Sequence, residues 1–317
     1  MSVYEFTKET RESRENIYHY TSVDALMKII ENKKLRFTEC RFLNDKNEFK
    51  GLSEILDKIK TNLNELMQEN WEEINQLADE EYENNFKMVN KSGSILFKKN
   101  KYYILSFSTE KDSLPLWNYY TKNMNSWGYS IHIVKNEIIN KFKEIDNNDI
   151  SLYYGKVLYK EKEKREFLEE KIKTISDKFS KKIIEKNRNS NSSINSYFDF
   201  EESVNVELRT ELYNLFQLCR LFFKDSYFSY EKEYRFVISC IDDESIFSSM
   251  REFSSINGII RPHLELDLKK LDFLSGITVS PLIEYDLAVK GLEYFLNSKE
   301  CNISKDKILK SKINIRF

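Results

Sequence analysis

Within residues 16–30, "NIYHYTSVDALMKII", the apolar spacing passes from that of a strand to that of a helix. "NIYHY" is aromatic and β-branched, as a short strand requires. Leu26, Ile29, Ile30 and Leu35 then give a helix its apolar side. Thr21 or Ser22 stands at the junction, with a hydroxyl able to accept the free N–H groups of a first helical turn. A chain built on this switch is neither all-α nor all-β. Strand patterns recur in "LRFTE", "YYILSFS", "WGYSIHIV", "ISLYYGKVLYK", "YEKEYRFVISC", "IIRPHLELDL", "SGITVSP" and the closing "SKINIRF". Gly128 marks a bend or a close backbone approach.

Helical spacing fills the intervals. Leu52, Ile55, Leu56, Ile59, Leu63, Leu66 and Met67 form one stripe after a capping-box pair, Asp45 and Glu48, in "RFLNDKNEF", and the pattern runs to Met88. A charged helix is predicted over 161–187, another over 202–223, and a third around "DLAVKGLEYFLN"; "NRNSNSSINS" reads as a flexible loop. The 7 glycines and 3 prolines among 317 residues suit long helices. Strands in both halves with helices between them predict an α+β fold on a single mixed or split β-sheet. The expected organisation is one domain over 1–317, with helical insertions near 47–90 and 160–223.

The 50 basic and 52 acidic residues nearly cancel, so no global field draws the chain to nucleic acid or an anionic membrane. Cys40, Cys219, Cys240 and Cys301 form no CxxC pair and read as reduced core thiols. "MSVYEFTKETRESRENIY" lacks a signal-peptide core and no window approaches a membrane span, so a cytoplasmic location without membrane association is expected. No Gly-rich phosphate loop and no repeat is present, and no serine or cysteine sits in a nucleophile-elbow context.

Chemistry concentrates in a few short blocks. In "YEKEYRF" strand alternation places Glu231, Glu233 and Arg235 on one face, either as a solvated charged surface or as carboxylates facing a cleft, where they favour a developing positive charge. His19 is either a satisfied strand histidine or a group at a strand-to-helix junction, where free backbone donors suit an anionic ligand. Ser106 and Ser108 share a strand face. Trp117 and Tyr120, three apart, are core packing or a stacking platform. His132 and His263 read as structural, and Asn44, Asp45 and Glu48 as a helix start.

"YHYTS", "RFLNDKNEF", "LSFS" with "LWNYY", "EKEYRF" and "SKINIRF", in this order, resemble a bacterial domain family of unassigned function, over residues 17–317. That family more distantly resembles the ADP-ribosyltransferase fold. The resemblance implies that NAD is the substrate, with no metal required. It implies that His19 binds the adenosine-side ribose, that the Tyr20 backbone holds the nicotinamide amide with Thr21 beside it, and that Ser106 and Ser108 match a Ser-x-Ser strand. Tyr120 then stacks on nicotinamide. Glu231 and Glu233 match Glu-x-Glu, with Glu233 stabilising the oxocarbenium-like transition state and Glu231 orienting the acceptor. Tyr20 stands where such a histidine is usually followed by glycine. The implied role is a toxin or phage-defence effector acting on a protein or nucleic acid; the alternative is a catalytically silent nucleotide-sensing or protein-interaction module. The helical insertions are candidate surfaces for self-association or a regulatory partner.

Overall fold

The computed structural model describes residues 1–7, 16–43, 52–63, 67–68, 71–79, 100–121, 127–145, 150–189, 194–241, 250–256 and 258–314. They form two compact units. The first comprises Met1–Asn44, Asn100–Val157 and Phe228–Phe317, and the second Asp45–Lys99 and Leu158–Tyr227.

Eleven strands of the first unit make one mixed sheet: β1 (Ser2–Thr7), β2 (Asn16–Thr21), β3 (Lys34–Glu39), β4 (Asn100–Ser108), β5 (Tyr129–Val134), β6 (Ile150–Lys156), β7 (Glu233–Ile241), β8 (Arg251–Ile256), β9 (Ile259–Asp267), β10 (Leu274–Val279) and β11 (Ile308–Lys310). The fold is therefore α+β on a single sheet. Among the described strands β1–β6 and β10–β11 run parallel, and the other strand pairings are antiparallel.

The sheet branches. A stem β1-β6-β7-β4 divides at β4 into one arm β2-β5-β10-β11 and another β3-β9-β8. Helix α1 (Val23–Asn32) carries the chain from the first arm to the second, and Ser22 caps it, its Oγ accepting the Ala25 N–H at 3.3 Å. Ile17, Leu26, Ile30, Phe37, Leu105, Phe107, Ile131, Tyr234, Phe236 and Ile277 belong to one buried cluster on the helix-covered face. Gly128 abuts β2: a Cβ there would lie 1.9 Å from the Thr21 carbonyl oxygen, so only glycine fits.

The second unit is helical: α2 (Leu52–Ile59) and α3 (Trp71–Asp79), then, after α4 (Lys135–Lys143) of the first unit, α5 (Glu161–Asn189) and α6 (Ile194–Phe222). Lys178 pairs with Glu211, and Lys182 with Glu207 at 2.5 Å; four residues up α5 match four down α6, the register of antiparallel neighbours. Leu168, Ile172, Phe179, Leu212, Phe216 and Cys219 are buried. Helix α7 (Tyr285–Ser298) completes the first unit.

Three expectations need correction. The stripe from Leu52 does not continue as one helix, because Leu63 is extended and a second helix starts at Trp71. The "NRNSNSSINS" segment is helical up to Asn189 and again from Ile194, and residues 190–193 lie outside the described residues. The last described strand is Ile308–Lys310; of "SKINIRF", residues 311–314 are not strand and residues 315–317 lie outside the described residues. Asn44, Asp45 and Glu48 lie outside the described residues. All four cysteines are buried and unbridged, and no helix among the described residues is long and apolar enough to cross a membrane.

His132 is buried in the first arm, its Nε2 sharing a 2.7 Å hydrogen bond with Thr278 Oγ1 and its ring meeting Tyr18 edge-on at 5.1 Å. Burial, with Lys111 adding to it, pushes its pKa down to about 4. The unfolded chain binds this proton near pH 6.5, so between these values unfolding takes up a proton and stability falls as the pH falls. His19 and His263 are also lowered by burial and act in the same direction. Urea titrations at pH 7 and pH 4.5 should show His132 alone contributing a loss of about 2–3 kcal/mol. In His132→Gln the drop should shrink by that amount.

Candidate functional site

The branch point is also the place where the candidate residues meet. One edge of β4 pairs with β7 through nine residues, Asn100–Ser108 against Ile241–Glu233. The other edge is shared: Ser108 pairs with Tyr18 of β2, while Ile104 and Tyr103 pair with Thr38 and Glu39 of β3. Leu105, Ser106 and Phe107 lie in the fork. There the His19 Nδ1–H donates to the Ser106 carbonyl at 3.1 Å, replacing a ladder hydrogen bond with a side chain.

Register then decides which side chains share a face. Glu233, Ser108, Tyr18 and His132 stand opposite one another on successive strands, as do Arg235 and Ser106. Residues between them point the other way, and Phe107 and Tyr234 join the apolar cluster. His19 belongs to this second set; its ring lies 5.5 Å from that of Phe107. His19 and Glu233 are thus two strand spacings, about 10 Å, apart and on opposite faces. Thr21 follows His19 on the same side, buried, opposite Tyr129. Tyr20 lies on the Glu233 side, but its hydroxyl is engaged, donating to the Glu110 carbonyl at 2.8 Å and accepting from the Ser113 N–H at 3.1 Å.

On the Glu233 side a polar cluster forms. Glu231 is not on the strand as alternation implies; it ends a 3₁₀ turn, Ser226–Glu231, and Lys232, at φ 41°, turns the chain into β7. Ser108 Oγ anchors this turn by donating to the Glu231 carbonyl at 2.6 Å and accepting the Glu110 N–H at 3.0 Å. Lys232 pairs with Glu110. Tyr120, on a helical turn at 114–121, donates its hydroxyl to Glu231 Oε1 at 2.6 Å. Arg235 grips Glu233 Oε2 through Nε at 2.9 Å and Nη2 at 2.5 Å. The solvated charged face that alternation also permits is not what forms: Glu231 is 3%, Glu233 8% and Arg235 1% exposed.

Two carboxylates and one guanidinium held away from water make a cluster that favours an added positive charge. The field is felt at Tyr120, whose phenol pKa is pushed far up by burial, then by the charge of Glu231 and the hydrogen bond donated to it, with Glu233 adding to it. Tyr120 is 36% exposed, so its ring borders solvent while its hydroxyl faces the acids. Trp117 beside it is wholly buried against Tyr20 and Leu116, a packing residue. The structure therefore brings Tyr120, Ser108, Glu231 and Glu233 together, leaves Ser106 opposite Arg235, and keeps His19 and Thr21 on the other face. Arg235 as the direct partner of Glu233 was readable in the i, i+2 spacing; Glu110 and Lys232 carry no such signal. No three His, Cys, Asp or Glu residues cluster as metal ligands among the described residues.

Arg235→Gln leaves the Glu233 carboxylate buried without its guanidinium and should cost about 3–5 kcal/mol in a urea titration. Tyr120→Phe removes a donor at the solvent border and should cost only about 1 kcal/mol. Equal effects would contradict the burial described.

No curated protein and no solved structure matches the chain. Residues 116–236, from the turn bearing Trp117 and Tyr120 to the first residues of β7, match the family described as protein of unknown function (DUF2971), so over this span the chain carries a domain of unassigned function.

Proposed function

We propose that this chain is an NAD-using ADP-ribosyltransferase-like enzyme whose reacting centre lies at Glu233, Glu231 and Tyr120. One observation carries the reading: two buried carboxylates stand beside a half-open tyrosine at the head of β4 and β7. The ring of Tyr120 offers a face for nicotinamide, and Glu233 a negative charge for the ribose. The C1′–N glycosidic bond breaks with its electron pair leaving on nicotinamide, which departs neutral. Positive charge then spreads over the ribose C1′ and ring oxygen, and the fixed carboxylate stabilises it. A nucleophile on a protein or nucleic acid, or water, attacks C1′ and gives up its proton to Glu231, the base in this reading. These residues supply charge and position, so the reading assigns them no metal. A cytoplasmic bacterial toxin or antiviral defence effector is the role in keeping with such chemistry.

A second reading, a catalytically silent nucleotide-binding module of the same fold, draws on two observations. His19 faces the apolar side of the sheet, away from Glu233, and Arg235 already occupies Glu233.

Incubation with NAD, with nicotinamide release followed by chromatography, separates the two. The enzyme reading expects release that falls about a hundredfold or more in folded Glu233→Gln. Binding of NAD by calorimetry, with release at background in both proteins, would instead establish the silent module. Neither binding nor release would overturn both.

A further inference from the structure

The closing block "SKIN" takes no part in the cluster described above, yet it is tied to the segment that carries Tyr120. Ser311 Oγ donates to Asp112 Oδ1 at 2.8 Å, and the Lys312 N–H donates to Asp112 Oδ2 at 2.7 Å. The indole Nε1–H of Trp117 donates to the same Asp112 Oδ1 at 2.7 Å. One half-buried carboxylate thus collects a side chain from the Tyr120 segment and two donors from the end of the chain.

Both ends of this link are themselves held. The Ser311 N–H donates to the Val279 carbonyl at 3.2 Å, extending the β10–β11 pairing, and Ser311 Oγ accepts the Ile313 N–H at 3.1 Å. Ile313 packs on Tyr20, Leu116 and Trp117, and Tyr20 meets Trp117 edge-on at 4.8 Å. Trp117 in turn fixes the backbone bearing Tyr120: its carbonyl accepts from Thr121 Oγ1 at 2.7 Å, and residues 117–121 form a π-helical turn. A π turn is an uncommon geometry, often found at functional sites. Here Asp112, together with the packing of Tyr20, Leu116 and Ile313, braces it from outside.

We propose that Asp112 is the positioning residue of the site: by fastening the Trp117 indole to the C-terminal strap at Ser311 and Lys312, it holds the π turn so that the Tyr120 hydroxyl rests on Glu231. The proposal deepens the reading of Tyr120, Glu231 and Glu233 as the reacting centre. It also makes residues 311–313 a control point for that centre, since whatever lifts them from Asp112 loosens the turn that carries Tyr120.

Two readouts test this without any turnover of NAD, so an inactive protein still decides it. Asp112→Ala should raise amide hydrogen exchange across residues 113–121 about tenfold or more, while exchange in β4 and β7 stays unchanged. With ¹³Cζ-labelled tyrosine, Tyr120, assigned through Tyr120→Phe, should show no ionisation through about pH 11 in the natural chain. In Asp112→Ala it should titrate like an ordinary tyrosine while exchange in β4 and β7 stays protected, which separates release of the turn from global unfolding. If Asp112→Ala does not fold, Ser311→Ala, which removes one donor, should move both readouts in the same direction by a smaller amount. A folded variant in which exchange at 113–121 and the Tyr120 resonance are both unchanged overturns the proposal. If both move while nicotinamide release is absent from every protein, positioning stands and the enzyme reading fails.

Discussion

Strand β4 is the member on which the sheet is organised, and the reason is its divided edge. A strand has two rows of backbone hydrogen-bonding groups, and each buried group must find a partner. On one side β7 satisfies them along nine residues. On the other, β2 and β3 take opposite ends of the strand and diverge, and the His19 imidazole bonds to the carbonyl left between them. If β4 were shorter, the arms would lose their common support. If its free edge were fully paired with one neighbour, the sheet would not branch.

This constraint gives His19 a structural meaning that its sequence context did not carry. A neutral imidazole fits because it donates one hydrogen bond while packing against Phe107, and burial lowers its affinity for a second proton. The residue thus contributes to the shape of the fork from the apolar side, while the acids occupy the opposite face. The two polar features are separated by the width of β4 and by the pleat.

Much of the fold could be read from the chain. The strand patterns at "YYILSFS", "WGYSIHIV" and "EYRFVI", and the Ser22 cap, reflect local periodicity and hydrogen-bonding chemistry, which survive folding. β1, α4 and β8 carry no such signal: β1 and β8 alternate poorly, and α4 has only Ile138, Ile139 and Phe142 on its buried side beside Lys135. Register was illegible for a different reason. Which residue of β2 lies opposite Ser108 depends on contacts between strands about 90 residues apart, so spacing within "NIYHY" could not reveal that Tyr18, and not His19, faces the acids. Likewise "EKEYRF" shows alternation, but the turn at Lys232 comes from the chain's arrival out of a 3₁₀ segment.

That left-handed residue has a mechanical consequence. With Lys232 at φ 41°, the two glutamates are delivered by different bodies, Glu233 by the rigid ladder and Glu231 by a turn pinned at its carbonyl by Ser108. Their separation is therefore an adjustable dimension: a movement of the turn shifts one acid while the sheet holds the other still. A side chain branched at Cβ would strain this hinge, and glycine would loosen it. The spacing of the charges is thus governed by one backbone angle and not by the pleat of a strand.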